Sequence, residues 1–384
     1  MLAPEELDTI RRQAAELAER DREQLQRLRE EVRGLRGSVR PILPRTTTTV
    51  SLVATDAGED AVAFDPHLFF PVRVVDSLGR VLLQELLTPW MDVEALNRRH
   101  LEDGVPKTPL GRLMRDLGVS YLWELSPMIP DPHTPLERRN RRWLQDYRDL
   151  GEWASLYDYL TGQREFATDT VVVRDGFLRS KIFAQDLFPR MWDRIREAVE
   201  ERRRKTGRRL FVVGIAKRSK LLDRYRLAMF LEGVLVQGGA CAVPVPAEME
   251  RRAYRWAEYA PAEEEEGESQ KFVAGGLHLV KFGRNPYDPI WPVDVWNLHV
   301  DRGEVDELFG YLLGDAQAGF PRPFYPLCLQ RAHEQARLSG LDSAILQDVV
   351  LEILRERVLP DRPGALEAFR LVAGEGRDAW RERA

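Results

Sequence analysis

Apolar positions from residue 4 to 36 recur every three or four places, at Leu7, Ile10, Ala14, Leu17, Leu28 and Leu35, with Leu25 and Val32 one place off the stripe. That spacing, set among Glu and Arg, predicts one amphipathic helix with a single apolar seam. Pro41-Ile42-Leu43-Pro44 and the threonines Thr46 to Thr49 end it, and the period then changes. Val50 to Thr55 is a continuous β-branched run, read as a buried strand that delivers Asp56, with Ala57-Gly58 behind it as a turn. Phe69 to Val75 and Val81 to Gln84, separated by Asp76-Ser77-Leu78-Gly79-Arg80, pattern as a β-hairpin. The first three strands are therefore expected to be consecutive and antiparallel.

Residues 88 to 163 return to helical spacing around a Pro-rich interruption from Pro127 to Pro135, and Glu137 to Leu160 is expected to be a helix carrying Glu152, Trp153, Leu156 and Tyr159. Thr170 to Arg174 reads as a second buried strand, which delivers Asp175 and Gly176. A helix at 189 to 205 and a strand at Leu210 to Ala216 follow. Strand, helix, strand in succession implies a parallel pair, so the sheet should be mixed. Beyond it we expect a helix from Lys217 to about Val236 and a mobile acidic loop at 261 to 270. Strands at Gly276 to Phe282 and Val293 to Val300, a helix at Gly303 to Leu313, a loop at Gly319 to Pro326 and a helix at Leu327 to Leu338 containing His333 complete the pattern.

A chain of 384 residues holds one large domain with insertions or two ordinary ones, and neither an internal repeat nor a clear linker divides it. Lysine and arginine total 57 against 62 acids, a net charge of −5, so the overall balance demands no nucleic-acid partner. The distribution changes that picture. Basic residues cluster at Arg138-Arg139-Asn140-Arg141-Arg142-Trp143, at Arg202 to Arg209 and at Lys217-Arg218-Ser219-Lys220, while acids gather at Glu263 to Glu266, which allows a basic face on an acidic molecule. Each cluster taken singly is also an ordinary solvated helix face or loop. Trp143, Tyr147 and Trp153 near these clusters suit either base stacking or core packing. Cys241 and Cys328 lie in apolar surroundings without metal-ligand spacing, as small buried hydrophobes in a reducing compartment. The N-terminus is charged from Glu5, and the most apolar stretch, Leu227 to Pro246, is interrupted by Glu232 and by glycines, so we expect a cytoplasmic chain without a signal peptide or membrane span.

Asp56 and Asp175 come from distant parts of the chain to the ends of apolar strands. Brought to neighbouring strand ends, two carboxylates repel, and a divalent cation between them is the usual remedy. The pattern points to metal-assisted hydrolysis, although an acid followed by glycine after a strand is also a common turn signal.

Three further segments extend this reading. Asp175-Gly176-Phe177-Leu178, Gly214-Ile215-Ala216-Lys217-Arg218-Ser219 and Tyr325-Pro326-Leu327 with Ala332-His333-Glu334 occur in an order that resembles the NurA family of DNA-repair nucleases, over roughly residues 45 to 345. That family shows Asp-Gly-Ser after its first strand, where this chain has Asp56-Ala57-Gly58; the carboxylate is kept and the turn differs. The resemblance implies an α/β, RNase H-like mixed sheet flanked by helices. Residues 1–44 would be an N-terminal helical segment for assembly or partner contact, 45–345 the nuclease domain with a helical insertion at about 88–163, and 346–384 a C-terminal helical tail. It implies a metal-dependent deoxyribonuclease, a single-strand endonuclease and 5′-to-3′ exonuclease, acting in double-strand-break end resection as a homodimer with a HerA-type hexameric ATPase. Asp56, Glu152, Asp175 and His333 would hold the metal, with Glu165 as the alternative glutamate. Lys217 would be catalytic through the phosphate, and Arg218, Ser219, Arg179 and Lys181 would contact DNA. Two ions are expected, and an imidazole among carboxylates favours manganese over magnesium. Two rivals stand beside this reading: a Holliday-junction-resolvase-like nuclease on the same fold, and a scaffold that binds DNA or the ATPase without cutting. The N-terminal seam, with no evident partner in the sheet, is expected to be covered in assembly.

Overall fold

The structure is a computed structural model that describes residues 4–45, 50–58, 62–64, 67–139, 141–254, 273–337, 340–357 and 360–361. The threonine run, the acidic tract at 261–270 and the tail from 362 lie outside the described residues. In chain order the strands are β1 (Arg40–Pro41), β2 (Val50–Gly58), β3 (Val62–Phe64), β4 (His67–Asp76), β5 (Val81–Leu87), β6 (Leu101–Glu102), β7 (Val105–Pro106), β8 (Asp169–Asp175), β9 (Leu210–Ile215), β10 (Cys241–Pro244), β11 (Gly275–Lys281) and β12 (Ile290–Trp296). The first six helices are α1 (Pro4–Arg33), α2 (Val93–His100), α3 (Pro109–Leu117), α4 (Leu122–Leu125), α5 (Trp143–Thr161) and α6 (Leu187–Thr206). They are followed by α7 (Lys220–Leu231), α8 (Ala247–Ala253), α9 (Asn297–Asp301), α10 (Val305–Gln317), α11 (Leu327–Ala336) and α12 (Gly340–Arg357).

Among the described residues, ten strands form one mixed sheet in the order β1-β10-β11-β12-β9-β8-β2-β4-β3, with β5 also paired to β4. β2, β8 and β9 are parallel, as the strand-helix-strand succession requires, and the remaining pairings are antiparallel. The valine runs of β8 and β9 are apolar at successive positions because both faces are covered. Val172 and Val212 pack toward α5 and α6, whereas Val171, Val173, Phe211 and Val213 pack toward α10 and α11. Trp143, Tyr147 and Trp153 are buried in the first of these cores, which removes them as stacking platforms for bases. On α5, Gly151 permits close approach to the sheet: a Cβ there would come within 2.5 Å of the Leu83 side chain on β5. No described helix is long and apolar enough to cross a membrane.

Three expected boundaries move. β2 continues through Asp56, Ala57 and Gly58 rather than turning after Thr55, because these residues pair with Val75, Val74 and Arg73 of β4. The apolar run Val293 to Val300 splits at Trp296, where α9 begins. The helix after Lys217 stops at Leu231, and the chain turns at Gly233 with φ +68°.

The N-terminal helix is half covered by its own chain. Val32 and Leu35 are buried against Leu221, Leu222 and Tyr225 of α7, with Leu25 and Leu28 packed beside them, while Leu7, Ile10 and Leu17 remain exposed. Arg29 and Arg33 donate to Glu232 at 2.7 and 2.9 Å, and Arg36 joins them at 3.2 Å. Hydrogen bonds from Arg33 and then Arg29 hold the Glu232 carboxyl down at about 2. The expectation that the whole seam awaits an assembly partner is therefore corrected for its second half. A truncation of residues 1–22 should fold normally, whereas removal of 1–36 strips the cover from a core cluster. Burial of Val32 and Leu35 alone is worth about 3–6 kcal/mol, so denaturant unfolding should show the longer truncation losing at least that much. Equal midpoints for both truncations would contradict the packing described.

Candidate active site

Parallel strands end on a common edge, and in open α/β sheets that carboxyl edge is where ligands bind. Here β2, β8 and β9 bring three chemistry-bearing residues to it. Thr55 pairs with Arg174, so Asp56 and Asp175 each stand one residue further along neighbouring strands. Asp175 in turn pairs with Ile215 at the end of β9, and Lys217 follows two residues later. The side chain of Asp56 lies outside what the structure describes, so its backbone place is the finding.

The carboxylate of Asp175 is largely covered, and its two oxygens are engaged separately. Oδ2 accepts from Lys217 Nζ, and Oδ1 accepts from Tyr325 Oη at 3.3 Å. Tyr325 thereby joins the candidate site, although the motif that contains it gives it no role. It is buried, its ring lies 4.6 Å from that of Trp291, and it ends the loop that leads into α11. The available signal was a hydroxyl-bearing aromatic directly before the Pro326 that starts a helix.

The turn after Asp175 is tightly built. Gly176 takes φ +118°, open to glycine, and the chain then crosses β9 at Gly214. A Cβ on Gly214 would sit 2.4 Å from the Gly176 carbonyl oxygen, so the glycine of the Gly214 to Lys217 segment makes room for the turn carrying Asp175. Leu178 N–H then donates to Asp294 Oδ2 at 3.0 Å, which fastens the loop to β12.

Glu152 occupies a different place from the one expected. Its Oε2 accepts from Arg174 Nη2 at 3.1 Å, and Arg148 Nε lies 3.7 Å from Oε1. Arg174 stacks over Trp153 at 4.2 Å and donates to the carbonyl oxygens of Asp175 and Phe177 at 3.2 and 3.0 Å. Successive strand residues face opposite sides. Arg174 turns to the α5 side with Glu152, while Asp175 turns to the side of Tyr325. Glu152 thus braces the backbone of the Asp175 turn through Arg174. Glu165 is exposed in the segment before β8. His333 is exposed on α11, a helix that lies across β2, β4 and β8. Among the described residues no three His, Cys, Asp or Glu side chains converge as a metal-binding group. The expected quartet of Asp56, Glu152, Asp175 and His333 is accordingly not assembled from the described side chains. Asp175 itself supplies the hard, anionic oxygen donor that a divalent cation takes.

Two of the expected DNA contacts are corrected. Arg179 is buried, donating to Asp294 Oδ2 and Oδ1 at 2.8 and 2.6 Å and also pairing with Glu250, so its guanidinium has no face for a phosphate. Burial opposes its charge, and the two carboxylates overcome that and raise its pKa. Ser219 is buried as the N-cap of α7, accepting from Leu221 and Leu222 N–H at 3.2 and 3.4 Å, with Tyr254 Oη 3.1 Å away. Arg218 is exposed beside Lys217, and Lys181 is half-buried in the loop beyond Arg179.

No family model matches the chain, and no curated protein matches it. Among solved structures, the NurA nuclease from Sulfolobus solfataricus is 12% identical over 91% of this chain and 97% of its own, with a TM-score of 0.41. A structure of NurA with manganese is likewise 12% identical, over 91% of this chain and 98% of its own, with a TM-score of 0.40.

Proposed function

We propose that this protein is a metal-dependent deoxyribonuclease of RNase H-like architecture. The observation that carries the reading is the carboxyl edge of the parallel strands, where Asp56 and Asp175 stand on adjacent strands with Lys217 and Tyr325 on the Asp175 carboxylate. The order β5-β4-β2-β8-β9, an antiparallel meander continued by two parallel strands, supports the architecture. Asp56 and Asp175 would hold the divalent ion or ions, with His333 reaching in from α11, and the metal would supply an activated water and neutralise charge on the phosphodiester. Manganese is the first choice and magnesium the alternative. Lys217 places an ammonium beside the same carboxylate, where it can pair with an incoming phosphate oxygen. Tyr325 fixes the carboxylate from the other side. Action in end resection as a homodimer, beside a HerA-type ATPase, belongs to the proposal as well.

Incubating the pure protein with end-labelled single-stranded DNA and manganese tests the reading. We expect cleavage with manganese and none with EDTA. Cleavage confined to branched substrates would favour the resolvase-like rival, and no product under any divalent ion would favour the scaffold. In the same assay His333→Ala should raise the manganese concentration for half-maximal rate by about tenfold or more. An unchanged titration would take His333 out of the metal site.

A further inference from the structure

The basic cluster at 138 to 142 has no part in the site above, yet the structure gives it a shape. The Pro-rich segment and the start of α5 enclose a pocket of about 320 Å³ with Met128, Ile129 and Trp143 among its walls and Arg138, Arg139 and Arg142 around it. Arg139 is committed to the fold, donating to the carbonyl oxygens of Met91 and Thr134 at 2.9 and 3.2 Å. Arg138 and Arg142 are exposed. The pocket also holds two acids: Asp131 Oδ1 accepts from His133 N–H at 2.7 Å, and burial and the neighbouring Asp149 raise the pKa of Asp146 against the pull of Arg142 and Lys181.

The pocket and the turn that carries Asp175 are joined through α5, on the side of the sheet to which Arg174 turns. Arg142, Gln145, Asp146, Arg148, Asp149 and Glu152 form one polar face of α5, growing less exposed from the pocket toward Glu152. Ten residues separate its ends, about 15 Å at 1.5 Å each. Glu152 meets Arg174, which grips the Asp175 turn, and the chain after that turn returns past the pocket through Lys181 and the Ala184 N–H bond to Leu125 O at 2.9 Å. Met128, the exposed apolar wall of the pocket, stands beside the guanidinium groups of Arg138 and Arg142, and apolar contact next to basic groups suits a nucleobase with its phosphate.

We propose that this pocket binds a nucleotide of single-stranded DNA several positions away from the bond at the Asp175 edge. The choice of DNA rests on the nuclease reading; the groove itself is tested without catalysis. Fluorescence anisotropy of a labelled oligothymidylate, with the full chain in EDTA, is the measurement. Arg138→Ala with Arg142→Ala should weaken binding by about tenfold at low salt and flatten the salt slope by about 1.4, at roughly 0.7 per lost phosphate contact. Met128→Ala, which removes apolar surface without adding charge, should weaken the oligothymidylate and leave an abasic oligomer of the same length unchanged. Melting curves check that each variant is folded. Unchanged affinity and slope in the double variant, no binding by the parent protein, or equal displacement by polyglutamate would overturn the proposal. A protein that binds as expected yet never cuts would remove the nuclease reading and leave the groove. One that cuts with manganese while the double variant binds as the parent does would remove the groove alone.

Discussion

Asp175→Asn should leave a folded protein whose metal-dependent cleavage falls by on the order of a hundredfold or more, and Asp56→Asn should do the same. Asparagine keeps the volume of Asp175 and an oxygen that can still accept from Tyr325 Oη. What it removes is the anion, and with it both the hard oxygen donor and the counter-charge of Lys217. The pair is partly solvated, with side chains 15% and 27% exposed, so its loss should cost no more than about 1 kcal/mol of stability. Lys217→Ala separates the two roles. A cation taken up on Asp175 competes with the Lys217 ammonium, so this variant should reach half-maximal rate at lower manganese while its maximal rate falls. Near-parental turnover in Asp175→Asn would remove that residue from the mechanism, and a manganese requirement that rises in Lys217→Ala would refute the competition.

Legibility of the fold followed burial. β8 and β9 are apolar runs covered on both faces, and the β4–β5 hairpin carries its own turn residues, so pattern alone locates them. β10 went unread because Cys241 to Pro244 is four residues long between Gly239 and a proline, too short for a period to show. At the site, strand ends and chain order bring Asp56, Asp175 and Lys217 to one edge without any side-chain information. Glu152 misled because its segment matched while its orientation was set elsewhere. Adjacent strand residues must face opposite sides, and the guanidinium of Arg174 draws Glu152 to the side away from the Asp175 carboxylate. Arg179 looked like a free cation after a motif, since its partners Asp294 and Glu250 stand 115 and 71 residues away in the chain. Distant pairing of that kind leaves no local trace.

Those partners make the largest stability effect we expect from a single substitution. Asp294→Ala should lower the unfolding free energy by about 3–5 kcal/mol, the usual consequence of breaking a buried ion pair from one side. Asp294 has a fully buried side chain that takes two bonds from Arg179 and one from Leu178 N–H, so alanine leaves a donor-rich guanidinium and a backbone amide short of acceptors in a place water does not reach. Glu250 remains for Arg179, but burial raises its own pKa against the pull of Arg179, so it is a weaker anchor by itself. Most of the cost is thus uncompensated charge rather than lost attraction. Arg179→Met in the Asp294→Ala background should therefore recover part of the stability, where two independent defects would add. Because Leu178 and Arg179 fasten the loop that begins at Gly176, Asp294→Ala should also slow cleavage at temperatures where the protein is still folded, by loosening the turn that aims Asp175. Urea unfolding of the two single variants and the double variant, with cleavage rates measured below the transition, provides the check. A single Asp294→Ala variant within about 1 kcal/mol of the parent, or a double variant less stable than the parent by the sum of the two single losses, would show that the triad does not hold this loop in the way its geometry indicates.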